Sequence, residues 1–210
     1  MNLALFDFDG TITTEDTYTK FLLFSVSKVR LLLGGLLVLP VILLYKLGWL
    51  PASKTRPVLS KFAFWGRKTS EVQALAEQFV FEYLPGVIRE QAIEQINWHK
   101  QRGDTVFIVS ANLDIPLSIW CRQHGLQLVC SELEIRGNRL TGNYTQGDCN
   151  GTRKVSYTRQ VIDVDLYETI FAYGDTKEDL PMLEMADIRY FRWEAYSDID
   201  KLREVAKGSA

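Results

Sequence analysis

The stretch NLALFDFDGT at positions 2–11 decides the fold. Asn2–Phe6 is a short apolar run without a charge, which is typical of a strand buried inside a sheet. Asp7 and Asp9 follow directly, and Gly10 allows the backbone an unusual turn after them. The pattern predicts two carboxylates at the carboxyl end of a buried strand, which is where parallel sheets form their ligand sites.

The remaining sequence alternates short apolar runs with helical periodicity. We predict further strands at Thr105–Val109, Leu126–Val129, Thr169–Tyr173 and Ile188–Phe191. Helices are predicted at Gly86–Arg102, Leu113–His124, Arg153–Ile162, Glu178–Ala186 and Ser197–Ala206. Leu133–Tyr144 is predicted to form a β-hairpin that turns at Gly137 and Asn138. This alternation predicts an α/β fold in which helices cover both faces of a parallel sheet.

Composition excludes several classes of protein. The 210 residues are 47% hydrophobic and 24% charged, which is the ordinary balance of a globular protein and not that of a disordered, collagen-like or multi-span membrane chain. A formal net charge of −2 argues against nucleic acid as a partner. The three cysteines and two histidines lack paired spacing, so a zinc site is not expected. The odd cysteine count and the lack of a basic leader predict a cytoplasmic protein.

Residues 17–68 differ from the rest of the chain in charge. They contain no Asp or Glu and nine basic residues, namely Lys20, Lys28, Arg30, Lys46, Lys54, Arg56, Lys61, Arg67 and Lys68. Within them, Leu31–Tyr45 has no charge but is shorter than the roughly 20 residues of a membrane-spanning helix. Pro40 is expected to kink or break a helix there. We favour a buried helix pair, with a basic apolar surface that meets a membrane or a lipid-like anion as the alternative.

Polar residues also follow the other predicted strands. Ser110 ends the second strand, and Asp175 and Asp179 flank the turn after the fourth. Lys154 stands at the start of a predicted helix. Each residue taken singly has an ordinary explanation as a helix cap or a solvated side chain. Several acids grouped at one sheet edge, however, are what a hard cation such as Mg²⁺ requires.

The order and spacing of these residues resemble the haloacid dehalogenase-like superfamily of phosphotransferases. Asp7-Phe8-Asp9-Gly10-Thr11 is similar to its first motif, Ser110 to its second, Lys154 to its third, and Gly174-Asp175 with Asp179 to its fourth. The length between the first two motifs resembles the phosphoserine phosphatase-like branch, in which a small helical cap is inserted. The resemblance implies a Rossmann-like core at residues 1–14 and 85–210, with a helical cap at residues 15–84.

The resemblance also implies a role for each residue. Asp7 is the expected nucleophile, Asp9 the acid and base, and Lys154 a catalytic cation. Mg²⁺ is the expected cofactor, held by Asp7, the backbone carbonyl of Asp9 and Asp175, with Asp179 in a supporting position. The expected substrate-binding residues are Thr11, Ser110 and Asp16, the last of which stands where phosphoserine phosphatases carry a glutamate.

The substrate class is less defined by the sequence. Ala111-Asn112 replaces a glycine pair, and Asp16 is shorter than glutamate, which weighs against phosphoserine itself. We favour a small organic phosphomonoester as the substrate. The alternatives are a lipid phosphate resembling phosphatidylglycerophosphate, cleaved by a protein peripheral to the membrane, and a non-catalytic phosphate-binding module.

Overall fold

The computed structural model describes residues 1–208, apart from the side chain of Leu33. Its strands are β1 (Leu3–Phe6), β2 (Thr105–Leu113), β3 (Gln127–Ser131), β4 (Leu133–Arg136), β5 (Arg139–Tyr144), β6 (Ile170–Gly174), β7 (Ile188–Phe191) and β8 (Glu194–Tyr196). A central sheet has the order β3-β2-β1-β6-β7-β8, and β4 pairs with β5 in a separate hairpin. All pairs of the central sheet are parallel except β7 with β8.

Nine helices are present among the described residues. They are α1 (Thr17–Ser25), α2 (Lys28–Lys46), α3 (Ala52–Phe64), α4 (Thr69–Gln78), α5 (Glu90–Gln101), α6 (Asp114–His124), α7 (Thr152–Val161), α8 (Leu180–Met185) and α9 (Ile199–Lys207). A π-helical turn at Phe79–Tyr83 continues α4. The predicted strands and helices of the core are therefore confirmed, with boundaries that differ by a few residues.

The side chains of each strand alternate between the two faces of the sheet, and both faces are buried. In β1, Leu3 and Leu5 point into one apolar core, while Ala4 and Phe6 point into the other, and all four are fully buried. Helices α8 and α9 contribute to the first core, and α4, α5 and α6 contribute to the second. The predicted α/β class, with a mainly parallel Rossmann-like sheet covered by helices, is confirmed.

The central position of β1 determines where the site forms. Because β1 lies between β2 and β6, the residues after these three strands meet at one edge of the sheet. Asp7 follows β1, and its backbone N–H donates to the carbonyl of Tyr173 at 2.9 Å. Asp175 follows β6, and Ser110 lies in the outer part of β2, where pairing with β3 becomes irregular.

Strand β8 and the turn before it were not predicted. Arg192 and Trp193 both adopt positive φ angles, of 52° and 69°, which residues other than glycine rarely do. Their side chains hold the site loops: Arg192 Nε donates to the carbonyl of Asp175 at 3.1 Å, and Trp193 Nε1 donates to the carbonyl of Thr11 at 3.2 Å. These contacts offset the unfavourable backbone conformation.

Helices α1 to α4 lie between β1 and α5, where the sequence predicted the cap; the division into domains stays a prediction. The β4–β5 hairpin packs against α3. A Cβ at Gly142 of β5 would come within 2.8 Å of the Cα of Lys61, so only glycine permits this close approach. The backbone N–H of Gly66 also donates to the carbonyl of Leu140 at 2.9 Å.

The interpretation of Leu31–Tyr45 as a buried helix pair was wrong. These residues belong to one continuous helix, α2, which packs on α3 but leaves leucines such as Leu32 and Leu37 78% and 80% exposed. Pro40 does not break it. A proline removes the donor to the carbonyl of residue 36, and because Leu36 is also exposed, water can replace that donor. No helix of the described residues is long and apolar enough to cross a membrane.

Candidate active site

Three carboxylates and one lysine form the centre of the site. Asp7, Asp175 and Asp179 each offer an oxygen, and these oxygens lie within 4.8 Å of one another. Lys154, the third residue of α7, is 2% exposed and donates from Nζ to Asp7 Oδ1 at 2.5 Å and to Asp179 Oδ1 at 2.6 Å. The structure thus brings together four of the residues that the sequence predicted, from segments far apart in the chain.

Burial and mutual repulsion alter the acidity of these groups. Loss of hydration raises the pKa of Asp7 well above its usual range, and the nearby charges of Asp179 and Asp175 raise it further, while Lys154 opposes them. The pKa of Asp175 rises to about 6, mainly through burial and then through repulsion by Asp179. Asp7, Asp175 and Asp179 lie together beside one buried lysine, Lys154, so a further cation would reduce the repulsion that raises the pKa of Asp7 and of Asp175.

Asp179 supports the site rather than facing outward. Its Oδ2 accepts the backbone N–H groups of Asp175 and Thr176 at 3.1 and 3.0 Å, while its Oδ1 accepts from Lys154. A Cβ at Gly174 would come within 2.5 Å of the Asp179 Cβ, which shows how closely this turn is folded. These contacts suit the supporting role expected for Asp179.

The Asp9 carboxylate lies in the same cavity but is bound by Thr17 and Asn112, outside the cluster of three carboxylates. Its Oδ1 accepts the backbone N–H of Thr17 at 2.8 Å and the hydroxyl of the same residue, and its Oδ2 accepts from Asn112 Nδ2 at 3.0 Å. Loss of hydration and then the charge of Asp16 raise the pKa of Asp9 to about 7, although the bonds from Thr17 oppose this rise. A carboxyl with this pKa exchanges a proton near neutral pH, as an acid and base must.

Each of the three predicted substrate-binding residues, Ser110, Thr11 and Asp16, has different contacts in the structure. Ser110 is 1% exposed in the sheet edge, yet it lines the cavity over the aspartates. The hydroxyl of Thr11 donates to Asp175 Oδ1 at 3.2 Å, so its observed contact is to the carboxylate cluster. Asp16 caps α1 by accepting the backbone N–H of Thr19 at 3.1 Å, and it also lines the cavity. The contacts of these three residues with a substrate stay predictions.

Sequence reasoning missed the residues that orient Asp9 and those that join α3 to the core. Asn112 and Thr17 hold the Asp9 carboxylate, and they also bind each other at 2.9 Å. Arg56 of α3 donates to both oxygens of Asp148 at 3.1 and 3.0 Å, and to Glu178 at 2.9 Å. The only sequence signal for Arg56 was its place in the basic segment.

A cavity of about 810 Å³ rises from the aspartates between α1, α2 and α3. Its floor is polar and includes Asp7, Asp9 and Lys154. Its walls are mainly apolar and include Leu22, Leu59, Phe62, Leu31, Val38 and Ile42. The size is that of a typical pocket for a small molecule. The cavity thus combines a charged floor with apolar walls.

The family follows from a match that spans most of this fold. Residues 4–184 match the family model described as haloacid dehalogenase-like hydrolase. This range includes every predicted site residue. The chain belongs to this family. The recognition made from the sequence motifs is therefore confirmed, and the protein is a haloacid dehalogenase-like hydrolase. Membership in a family of hydrolases disfavours the alternative of a non-catalytic module.

Individual relatives match nearly the full length of the chain. Protein CicA of Caulobacter vibrioides is 28% identical over 200 residues, which cover 90% of this chain and 85% of that protein. A Bordetella pertussis Tohama I protein of unknown function has a structure that matches with a TM-score of 0.79 and 20% identity, covering 99% and 95% of the two chains. A substrate-bound phosphoserine phosphatase matches with a TM-score of 0.65 and 18% identity, covering 99% and 98%. These structural likenesses establish a shared fold.

Proposed function

We propose that this haloacid dehalogenase-like hydrolase is a Mg²⁺-dependent phosphatase that cleaves a phosphomonoester through an aspartyl-phosphate on Asp7. The observation that carries the proposal is the cluster of Asp7, Asp175 and Asp179 around Lys154 beneath an open cavity. A fold shared with phosphoserine phosphatases supports it. Phosphoryl transfer requires mainly positioning and neutralisation of charge, and this cluster supplies both.

The residues present fit a magnesium ion. When all three carboxylates are ionised, the lysine beside them leaves two negative charges uncompensated, which matches one divalent cation. All donors are oxygen atoms, as Mg²⁺ prefers. Asp7 and Asp175, with the backbone carbonyl of Asp9, would hold the ion, and Asp179 would support them. When bound, the ion would neutralise charge on the transferring phosphoryl group.

In the first step, Asp7 attacks the phosphorus atom of the ester. Lys154 holds Oδ1 of Asp7, so we assign the attack to Oδ2. The bond between phosphorus and the ester oxygen breaks, and protonated Asp9 gives its proton to that oxygen, so that an alcohol leaves. Ser110 and Lys154 would hold the phosphoryl oxygens, because both line the floor of the cavity.

In the second step, Asp9 acts as a base. It takes a proton from water, whose oxygen attacks the phosphorus of the aspartyl-phosphate, and inorganic phosphate leaves as the Asp7 carboxylate is restored. The pKa of Asp9 near 7 suits both directions of proton transfer. Thr17 and Asn112 orient the Asp9 carboxylate for these transfers.

Removal of divalent metal tests this proposal. We expect EDTA to abolish phosphate release from an aryl phosphate, and added Mg²⁺ to restore it, because Asp7 and Asp175 repel the substrate phosphate without a cation. A screen of sugar, amino-acid, nucleotide and lipid phosphates with Mg²⁺ then defines the substrate class. Full turnover in EDTA, or no turnover of any phosphate with Mg²⁺, would contradict the proposal.

A small organic phosphate fits the polar floor of the cavity, but the apolar walls favour a second candidate, a phosphomonoester with a long apolar body such as a lipid phosphate. For soluble alkyl phosphates of increasing length, we expect kcat/KM to rise by about fourfold for each methylene that becomes buried, since burial contributes ~0.8 kcal/mol. Activity independent of chain length would exclude this candidate and leave the small phosphate.

A pair of neighbouring residues in α2 provides the matched control for that series. Ile42 lines the cavity, whereas Leu43, the next residue, does not line it and is 51% exposed. Ile42→Ser is expected to flatten the dependence on chain length, and Leu43→Ser is expected to leave it unchanged. The assay uses alkyl phosphates below their micelle concentration, so that only the cavity is compared.

A further inference from the structure

Helix α2 is apolar on more than one face. Leu31, Val38, Ile42 and Tyr45 recur at helical spacing and line the cavity. A different side of the helix includes Val29, Leu32, Leu36, Leu39 and Leu43, which are 67%, 78%, 75%, 45% and 51% exposed. We call these five residues the outer leucine face. A helix that is apolar all round is normally buried or in contact with lipid, so this exposed face requires a partner.

Unpaired positive charges stand at both ends of the outer leucine face. Lys28 begins α2, Lys46 ends it, and Lys54 follows in α3. All three lysines are exposed, and none makes an ion pair within the part of the chain that the structure describes. Residues 17–68 contain no acidic side chain to neutralise them. The partner must therefore be apolar in its interior and anionic at its surface.

Exposed tryptophans also lie near both ends of α2. Trp49 follows the helix and is 76% exposed. Trp65 is 66% exposed, and it lies near the beginning of α2 because Arg30 donates to its carbonyl at 3.0 Å. Tryptophan is enriched at the boundary between lipid chains and head groups. One indole near each end suits a helix that lies flat in this boundary.

A second copy of the chain fits this surface less well. Because lysines stand at both ends of α2, two copies packed face to face would oppose like charges in either orientation. An anionic bilayer instead offers apolar chains to the leucines, head groups to the lysines and an interface to the tryptophans. We propose that the outer leucine face docks onto an anionic phospholipid surface, with α2 parallel to the membrane plane.

Sedimentation with vesicles tests this docking. We expect the protein to pellet with vesicles of phosphatidylcholine and phosphatidylglycerol, and to pellet less with phosphatidylcholine alone. Leu32→Ser with Leu36→Ser should lower the partition coefficient by more than tenfold, because two exposed apolar side chains are lost from the contact. Lys28→Gln with Lys46→Gln should lower binding to the anionic vesicles by roughly fivefold for each lysine removed.

The controls separate docking from folding and from catalysis. Leu166 is 77% exposed in the turn at Val164–Leu166 outside α2, so Leu166→Ser removes an equally exposed leucine and should leave vesicle binding unchanged. Leu32 and Leu36 do not line the cavity as described, so their double variant should keep the wild-type melting temperature and its activity on a soluble aryl phosphate. Asp7→Asn should bind vesicles like the wild type, so a failure of the proposed phosphatase activity would not affect this test.

Three results would overturn the proposal. The first is a wild-type protein that stays in the supernatant with both vesicles. The second is an unchanged partition coefficient in the double leucine variant. The third is a dimer in solution that dissociates in the double leucine variant, because a second copy would then be the partner of the outer leucine face.

Discussion

Replacement of Asp7 by asparagine is expected to abolish phosphatase activity, with kcat falling by about 10⁴-fold or more, as for other enzymes that lose their nucleophile. The amide has nearly the shape of the carboxylate but cannot form the acyl phosphate. The measurement is phosphate release with Mg²⁺, followed by mass spectrometry of acid-quenched enzyme. A phosphoryl group on the peptide that contains Asp7 is expected in the wild type and not in Asp7→Asn.

An exposed aspartate provides the control for this substitution. Asp165 is exposed and pairs with Arg159 at 3.7 Å on the surface, so Asp165→Asn should retain full activity. Activity within tenfold of the wild type in Asp7→Asn would show that another group attacks the phosphorus. A phosphoryl group found on a different peptide would lead to the same conclusion.

Replacement of Lys154 by methionine is expected to reduce both stability and activity. The side chain of Lys154 is buried between Asp7 and Asp179, and its removal leaves these carboxylates without their cation. Breaking such a buried pair lowers the free energy of unfolding by about 3–5 kcal/mol. Urea unfolding without metal measures this loss. Added Mg²⁺ should restore stability more in the variant than in the wild type, because the variant has one more uncompensated negative charge.

Arg159→Met provides the comparison within the same helix. Arg159 also lies in α7, but its side chain is 49% exposed and its ion pair with Asp165 is on the surface. Such pairs contribute at most about 1 kcal/mol. Equal destabilisation by Lys154→Met and Arg159→Met would mean that the buried cluster does not depend on the lysine charge. Full activity in Lys154→Met would remove Lys154 from the proposed mechanism.

The sheet and the charged centre of the site were predictable because their signals are local. An apolar run followed by Asp7 and Asp9 marks a strand end in any parallel sheet, and a glycine-aspartate pair at Asp175 repeats that signal. Because parallel strands end at the same edge, local signals were enough to bring distant residues together. The distances from Lys154 to Asp7 and to Asp179 are known only from the structure, because the spacing of residues along the sequence does not determine them.

Other features depend on tertiary contacts that carry no local signal. The turn at Arg192 and Trp193 has no glycine or asparagine, and the contacts to Asp175 and Thr11 that accompany it come from across the sheet. Asn112 was noted only as a departure from a glycine pair, whereas the structure shows it holding Asp9. In α2, the prediction of a buried helix pair was wrong, because α2 is one helix that continues through Pro40 and leaves many of its apolar side chains exposed.

Along its length, α2 lies between the cavity and the solvent, and this one helix is about 10 Å across. Two properties proposed for the enzyme would therefore reside in one short segment, on different side chains except for Lys46, which ends α2 and also lines the cavity. If both proposals hold, residues that line the cavity, such as Ile42, would select the substrate, and exposed residues, such as Leu36, would determine where the protein resides. Evolution or design can alter selectivity and location separately, while the aspartates on the sheet edge stay unchanged.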